Sequence, residues 1–358
     1  MKVLFTGGGT AGHVTPNLAL IKACEGRGIS CVYIGSHTGI EAKLLENTDV
    51  PYYAISTGKL RRYFSWQNFF DPVKILIGCF KAWFLIIKLK PDVVFSKGGY
   101  VAVPVVIAAR LLNVPVICHE SDMTPGLANR ICFPFAERIC VNFPATLTSV
   151  PVGKGLLTGT PVRKSLLSGE ANRARHLMLV EPDMPVMLVF GGSQGAVVIN
   201  DQVRKVLEEL SARWFVIHVV GTGNIVAELN ARQRYVQLEF VDEGFGDLLA
   251  AADLVVARAG ANSIYELLVT RKPHLLIPLR AVASRGDQIE NAEVMLKLGF
   301  SRVLEEPDMT DKTFLEEVDR LWRDRAQLAE NMNQFAIVDS ETIILDLMQE
   351  LSEEGASS

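Results

Sequence analysis

The sequence contains no Cys-x-x-Cys pair, no Asp-x-Asp and no second histidine at zinc-ligand spacing from a first. It therefore offers no residue set for a structural zinc, a thiol–disulfide centre or a carboxylate-held divalent cation. The six cysteines, Cys24, Cys31, Cys79, Cys118, Cys132 and Cys140, all stand in the first half of the chain. They read as buried free thiols of a reducing compartment. No uncharged apolar run is long enough for a bilayer crossing, because the most hydrophobic stretch, residues 73–90, is broken by Lys74, Lys81 and Lys88. No secretory leader is expected, since the N-terminus passes straight into the strand-like Lys2-Val3-Leu4-Phe5. A cytoplasmic protein is expected.

The chain has 358 residues, 49% of them hydrophobic and 21% charged. That length holds two ordinary domains, and the apolar content excludes a disordered or fibrous chain. Lys and Arg number 36 against 40 Asp and Glu, a formal charge of -4. The total hides an asymmetry. Residues 1–163 hold 17 Lys/Arg and 9 Asp/Glu, or +8, and residues 164–358 hold 19 and 31, or -12. A basic half joined to an acidic half invites an anionic partner on one side.

Short β-branched runs alternate with amphipathic helical segments throughout. Residues 3–6, 31–35, 52–55, 93–96, 114–119 and 139–143 read as strands, with helices at 16–26, 41–47 and 101–112. The pattern fades in the Gly/Pro-rich residues 150–163 and resumes with strands at 186–190, 215–220, 236–241, 254–257 and 274–278. Helices at 196–210, 245–252, 263–268 and 288–298 separate these, and residues 311–351 are helical and charged. The fold class expected is α/β, with two Rossmann-like doubly wound domains facing across a cleft and ligands at the carboxyl ends of the strands. The boundaries expected are 1–160, 161–340 and a terminal helix and tail, 341–358.

Five loop motifs fall where chemistry is expected. Gly7-Gly8-Gly9-Thr10-Ala11-Gly12-His13 follows the first strand and precedes a helix. Its glycines let the backbone approach a phosphate, with helix N–H groups facing it; the alternative is a tight strand-to-helix turn. His13 stands at the mouth of this loop. A neutral imidazole there can serve as a general base, favoured by the positive end of the helix, or it caps the turn. Gly191-Gly192-Ser193-Gln194-Gly195-Ala196 repeats the logic in the second half, with a hydroxyl for a phosphate oxygen. In Arg258-Ala259-Gly260-Ala261-Asn262-Ser263, a helix is expected to start with Asn262 or Ser263 as N-cap. Glu266 then either completes a capping box with Ser263 or accepts from the hydroxyls of a ribose. Ser284-Arg285-Gly286-Asp287-Gln288 opens another helix with groups suited to sugar hydroxyls, or is a solvated helix start. Last, His119-Glu120-Ser121-Asp122 ends a strand with two carboxylates and an imidazole.

A different signal runs from Asp71 to Lys90. Asp71 is expected to cap a helix, Pro72 to take its first position and Pro91 to stop it. Lys74, Lys81 and Lys88 share one face and apolar residues cover much of the rest; Lys59, Arg61, Arg62, Trp66, Phe69 and Phe70 lie just upstream. A crossover helix packed on the sheet accounts for most of this. The combination also suits a helix resting on anionic lipid headgroups, the reading preferred.

Together Gly8-Gly9-Thr10-Ala11-Gly12-His13-Val14, Lys97-Gly98-Gly99-Tyr100, His119-Glu120-Ser121-Asp122, Pro161-Val162-Arg163, the second Gly-rich loop and Arg258 through Glu266 resemble the peptidoglycan N-acetylglucosaminyltransferases. The likeness spans essentially the whole chain, and the Ser-Arg-Gly-Asp-Gln version is similar to the Gram-positive branch. It implies a GT-B fold and an inverting, peripheral enzyme on the cytoplasmic face of the membrane. The reaction implied is transfer of GlcNAc from UDP-GlcNAc to undecaprenyl-diphospho-MurNAc-pentapeptide (lipid I), giving lipid II. Partners implied are that acceptor and an anionic membrane surface, with no nucleic acid, no obligatory cofactor and no metal.

By matching motif, the resemblance gives Ser193 to the donor diphosphate, Val241 to the uracil, Glu266 to the ribose and Gln288 to the GlcNAc hydroxyls. Arg163 and Ala261 are placed close to the donor. Thr10, Ala11, Gly12 and Asp122 are also given to UDP-GlcNAc at the same cleft, where the loop is expected to meet the acceptor diphosphate as well, with His13 as base and the catalytic Glu120 beside it. Ala11 stands where many relatives have Gly, Asp122 where others have an Asn that contacts the donor, and Thr160 where an Asn precedes Pro-Val-Arg. Competing readings are a UDP-sugar-dependent diacylglycerol glycosyltransferase, a UDP-GlcNAc 2-epimerase and a non-enzymatic UDP-GlcNAc sensor.

Overall fold

A computed structural model describes the chain except residues 47, 59–66, 193, 242–243, 281–285 and 358. It divides into two compact units, Met1–Val162 with Val338–Ser358, and Arg163–Ile337.

The first unit is built on a seven-stranded parallel sheet in the order β3-β2-β1-β4-β5-β6-β7. Its strands are β1 (Lys2–Thr6), β2 (Ser30–Ser36), β3 (Tyr52–Ile55), β4 (Val93–Ser96), β5 (Val116–Glu120), β6 (Arg138–Val141) and β7 (Gly155–Leu157). Strands β1, β4 and β5 are buried on both faces, which explains their unbroken apolar runs. Helices Gln67–Leu89 and Ala102–Leu111 cover one side, with Ala82, Ile86, Val105 and Ala109 in a shared core. On the other, Leu20, Ile21 and Cys24 of helix Thr15–Gly26 meet Val3, Phe5 and Phe95.

Ile344, Leu345, Met348 and Leu351 of the last helix, Ser340–Ser357, complete that second core. The segment expected to be a separate tail is thus part of the first unit. Its Asp346 pairs with Arg27 at 2.6 Å.

The second unit carries a six-stranded parallel sheet, β10-β9-β8-β11-β12-β13. Its strands are β8 (Val186–Phe190), β9 (Phe215–Val219), β10 (Tyr235–Leu238), β11 (Leu254–Ala257), β12 (His274–Leu276) and β13 (Arg302–Val303). Phe314, Val318 and Leu321 of helix Asp311–Met332 pack into its core with Met187, Val189 and Val256.

Strand order reverses between β1 and β4 in one sheet and between β8 and β11 in the other. Crevices open at such reversals, and the loops that leave these four strands carry the Gly-rich and Arg-Ala-Gly motifs.

Three local expectations change. The basic, apolar helix begins at Gln67, so Asp71 and Pro72 lie inside it and Asp71 is not its cap. It does end at Leu89, where Lys90 turns left-handed ahead of Pro91. Residues 155–157, taken as connection, form the edge strand β7. The helix expected over 196–210 is two helices, Val197–Lys205 and Leu207–Ser211.

Candidate active site

In the second unit, the loops after β8, β11 and β12 line a cavity of about 570 Å³ that includes Gly191, Gly195, Ala196, Arg258, Arg280 and Gln288. Gly195 has φ +74° and its Cα faces the Val220 carbonyl closely, so a side chain there would be blocked. Ser193 lies outside the described residues. Buried Arg258 pairs with Glu306 at 2.6 Å, and Arg280 reaches the other oxygen of Glu306 at 3.2 Å. Two guanidinium groups on one buried carboxylate leave the wall net positive. Oε1 of Gln288 accepts from the N–H of Leu279 at 3.0 Å, which fixes the carboxamide at the rim.

The helix Ala261–Val269 takes Gly260 as its N-cap, not Asn262 or Ser263. Glu266 then sits at the sixth helical position, too deep for a capping box. Burial lifts its carboxyl to about 7, and the nearby Arg163 guanidinium opposes the rise without cancelling it. Ala261 is buried at the first helical turn. Val241 is half-buried beyond β10, and its neighbours Asp242 and Glu243 lie outside the described residues.

In the first unit, the N–H of Gly8 donates to the Gly98 carbonyl at 3.3 Å and that of Gly9 to Oε2 of Glu41 at 3.2 Å. Two amides of the Gly-rich loop are therefore engaged within the protein. Positions Thr10, Ala11 and Gly12 remain the phosphate-facing candidates, and a 3-10 turn, Ala11–His13, leads into helix Thr15–Gly26. Nδ1 of His13 is 3.1 Å from both the Gly8 carbonyl oxygen and Oγ1 of Thr10.

Glu120 is held on both carboxylate oxygens. Its Oε1 accepts from the N–H groups of Ser121 (2.8 Å) and Asp122 (3.0 Å). Its Oε2 accepts from the N–H of Gly126 (3.0 Å) and Nδ2 of Asn129 (3.0 Å). With four donors on a buried carboxylate, Glu120 clamps its own loop. His119 is likewise buried, held between Lys97 and the Gly159 carbonyl. Asp122 opposes the lowering of the Lys97 amine, and its backbone carbonyl accepts from Oγ1 of Thr146 at 3.3 Å.

The candidates thus form groups. Thr10–His13 and Glu120–Asp122 belong to the first unit, with Lys97 between their loops: Lys97 feels both carboxylates, and its Cβ lies against Gly7. Arg163, Glu266, Ala261, Gln288 and Val241 belong to the second. Sequence patterning missed Glu41, Lys97, Arg258, Arg280 and Glu306 as parts of the site; Lys97 and Arg258 stood inside quoted motifs, whereas Glu306 carried no local signal. Among the described residues, no three His, Cys, Asp or Glu are grouped to hold a metal ion.

Residues 3–141 match the glycosyltransferase family 28 N-terminal domain and residues 186–348 its C-terminal domain. A relative from Lachnospira eligens, a UDP-N-acetylglucosamine--N-acetylmuramyl-(pentapeptide) pyrophosphoryl-undecaprenol N-acetylglucosamine transferase, is 50% identical over 98% of this chain and 99% of its own. One of the same name from Geobacillus kaustophilus is 48% identical, covering 98% of both. The crystal structure of Acinetobacter baumannii MurG superposes with TM-score 0.76 at 27% identity, over 98% of this chain and 99% of that one. The UDP-GlcNAc 2-epimerase of Neisseria meningitidis, 14% identical with TM-score 0.67 over 98% and 100%, shares the fold. Two Rossmann-like units of the GT-B class, both family domains in order and near-full-length identity of about half lead to one assignment: the chain belongs to glycosyltransferase family 28.

Proposed function

We infer that this protein transfers N-acetylglucosamine from UDP-GlcNAc to the muramoyl sugar of lipid I, giving lipid II. The observation that carries the reading is the 50% identity over 98% of the chain to a transferase of that name.

The geometry supports a division of labour. The second-unit cavity, with its net positive Arg258–Glu306–Arg280 wall and Gly-rich loop, suits a sugar-nucleotide diphosphate. Ser193 and Ala261 would meet that donor, Val241 the base, Glu266 the ribose hydroxyls and Gln288 the GlcNAc hydroxyls, with Arg163 stabilising charge beside Glu266. As UDP leaves, its growing negative charge is met by fixed cations and loop dipoles. In the first unit, a carbonyl can only accept, so the Nδ1 of His13 that faces Gly8 carries the ring proton. The lone pair then resides on Nε2, the form needed to take the proton of the attacking sugar hydroxyl. One displacement inverts the anomeric centre, and no protein nucleophile is required. Thr10, Ala11, Gly12 and Asp122, expected to meet UDP-GlcNAc, would also line the approach of the acceptor.

Membrane contact is assigned to helix Gln67–Leu89. Among the described residues, no helix is long and apolar enough to cross a membrane. This helix instead exposes Leu76, Ile77, Phe80, Phe84 and Ile87 as one stripe while Ala82, Ile86 and Leu89 face the core. Lys74, Lys81 and Lys88, all exposed, follow one border of that stripe by their seven-residue spacing. This amphipathic face suits the anionic headgroups of the cytoplasmic leaflet, and no nucleic-acid partner is required. The other basic and aromatic residues expected here, Lys59, Arg61, Arg62 and Trp66, lie outside the described residues.

The test is UDP release from UDP-GlcNAc with and without a soluble lipid I analogue, with diacylglycerol as control acceptor. Release confined to the lipid I analogue is expected. Release with no acceptor, or with diacylglycerol alone, overturns the assignment.

A further inference from the structure

The peptide bond between Gly8 and Gly9 is hydrogen-bonded on both sides to ionisable side chains. Its carbonyl oxygen faces Nδ1 of His13 at 3.1 Å, and its N–H donates to Oε2 of Glu41 at 3.2 Å. The bond is trans, so C=O and N–H point in opposite directions and place the two side chains on opposite sides of one planar group.

Glu41 is fully buried near the start of helix Ile40–Leu45. Its Oε1 accepts from the N–H and the hydroxyl of Ser36, at 3.0 and 2.5 Å. Three donors hold this carboxylate in one place. The Gly-Gly pair is fitted to it: a Cβ on Gly8 would lie 2.6 Å from the Glu41 carboxyl carbon, and Gly9 has φ +90°.

We propose that Glu41 is a positioning residue for the transfer reaction, acting through the Gly8–Gly9 peptide to fix the tautomer and orientation of His13. The proposal rests on His13 being the base. An amide that donates to a carboxylate is polarised, and its carbonyl becomes a better acceptor. The stronger acceptor holds the proton on Nδ1 and the lone pair on Nε2. A carboxylate that orients an imidazole is a familiar catalytic device; here a peptide group stands between the two. Oγ1 of Thr10, also 3.1 Å from Nδ1, steadies the ring in the same orientation.

The test is 15N NMR of histidine-labelled enzyme, with His13→Ala identifying the His13 signals, alongside kinetics. Wild type should show the Nδ1–H tautomer. In Glu41→Gln that tautomer should lose population, and kcat should fall roughly ten- to hundred-fold with the KM for UDP-GlcNAc unchanged. The double variant should be no slower than His13→Ala alone. Unchanged His13 signals in Glu41→Gln overturn the proposal, as does an equal loss of kcat with and without His13, which marks a purely structural loop contact. If Glu41→Gln does not fold, Ser36→Ala, which removes the hydroxyl on Oε1, must show the same tautomer shift in smaller form. Full turnover by His13→Ala overturns the base assignment alone, and the ring-nitrogen spectra decide the coupling in either case.

Discussion

Nζ of Lys97 lies 2.7 Å from Nδ1 of His119, whose Nε2 lies 2.8 Å from the Gly159 carbonyl oxygen. One proton arrangement fits: Nε2–H donates to the carbonyl and Nδ1 accepts from the amine. Burial and the Lys97 charge hold His119 well below the usual imidazole range, so it stays neutral. Burial also brings the Lys97 amine down to about 7, against the pull of Glu120 and Asp122.

A pH dependence of stability follows. Above about 7 the folded chain releases the Lys97 proton, while the unfolded chain keeps it up to the ordinary lysine value of 10.5. The unfolded state binds more protons in that window, so this group makes stability rise with pH from about 7 upward. Lys97→Met should flatten the rise. Urea midpoints at several alkaline pH values measure it, and an identical slope in the variant refutes the assignment.

Glu266 gives a second pH dependence, of opposite origin. Burial raises its carboxyl to about 7, and the ionised form, an acceptor at both oxygens and charge-assisted, binds two ribose hydroxyls more strongly than the neutral acid. Affinity for UDP should weaken as pH falls through 7, by up to about tenfold per unit once the neutral form dominates. Calorimetry on wild type and Glu266→Gln checks this. The variant should bind weakly with no such dependence.

Replacing His13 by Ala should cut kcat by roughly 10²- to 10⁴-fold, the usual worth of a general base. UDP binding should barely change, since the cavity with the Arg258 and Arg280 wall belongs to the other unit. Single-turnover assays with saturating donor separate the two quantities.

Glu120→Ala should behave as a folding variant. It strips the acceptor from four donors, and each one left buried costs about 1–3 kcal/mol. Thermal unfolding and faster amide exchange at Ser121, Asp122 and Gly126 are the expected signs. Loss of activity at full stability would restore a chemical role to this carboxylate.

The exposed stripe on helix Gln67–Leu89 predicts lipid affinity. Phe80 and Phe84 are 67% and 63% exposed. Burying a phenyl ring in the interface is worth on the order of 1.5 kcal/mol, so Phe80→Ser and Phe84→Ser should each weaken binding to phosphatidylglycerol vesicles about tenfold. Salt should weaken the wild type as well, through Lys74, Lys81 and Lys88. Sedimentation that leaves the double variant vesicle-bound would remove this helix from the interface.

Which features were legible in the sequence follows from how far each signal reaches along the chain. β-branched runs and Gly-rich turns are local, so the inner strands and the loops that leave them could be placed. Strands β7 and β13 are three and two residues long at sheet edges, too short to show a period. Glu120 and Glu266 illustrate the limit at the site: both are acidic residues in loop-proximal motifs, and only their partners separate a loop clamp from an elevated pKa. Glu41 was invisible for the same reason, because Gly9, the partner that ties it to the first loop, is 32 residues away and joined to it only by the fold. Gly260 took the N-cap from Asn262 and Ser263 by backbone geometry alone, without a side-chain bond.

The terminal helix Ser340–Ser357 imposes an order on synthesis. A chain emerging from the ribosome presents Val3, Phe5, Leu20 and Phe95 early, but Ile344, Leu345 and Met348, which share their core, come only after Arg163–Ile337 has been made. That apolar surface must wait uncovered while another folding unit is completed, which is when nascent chains are most exposed to aggregation and most in need of chaperones. The unit that is translated first is the last to close.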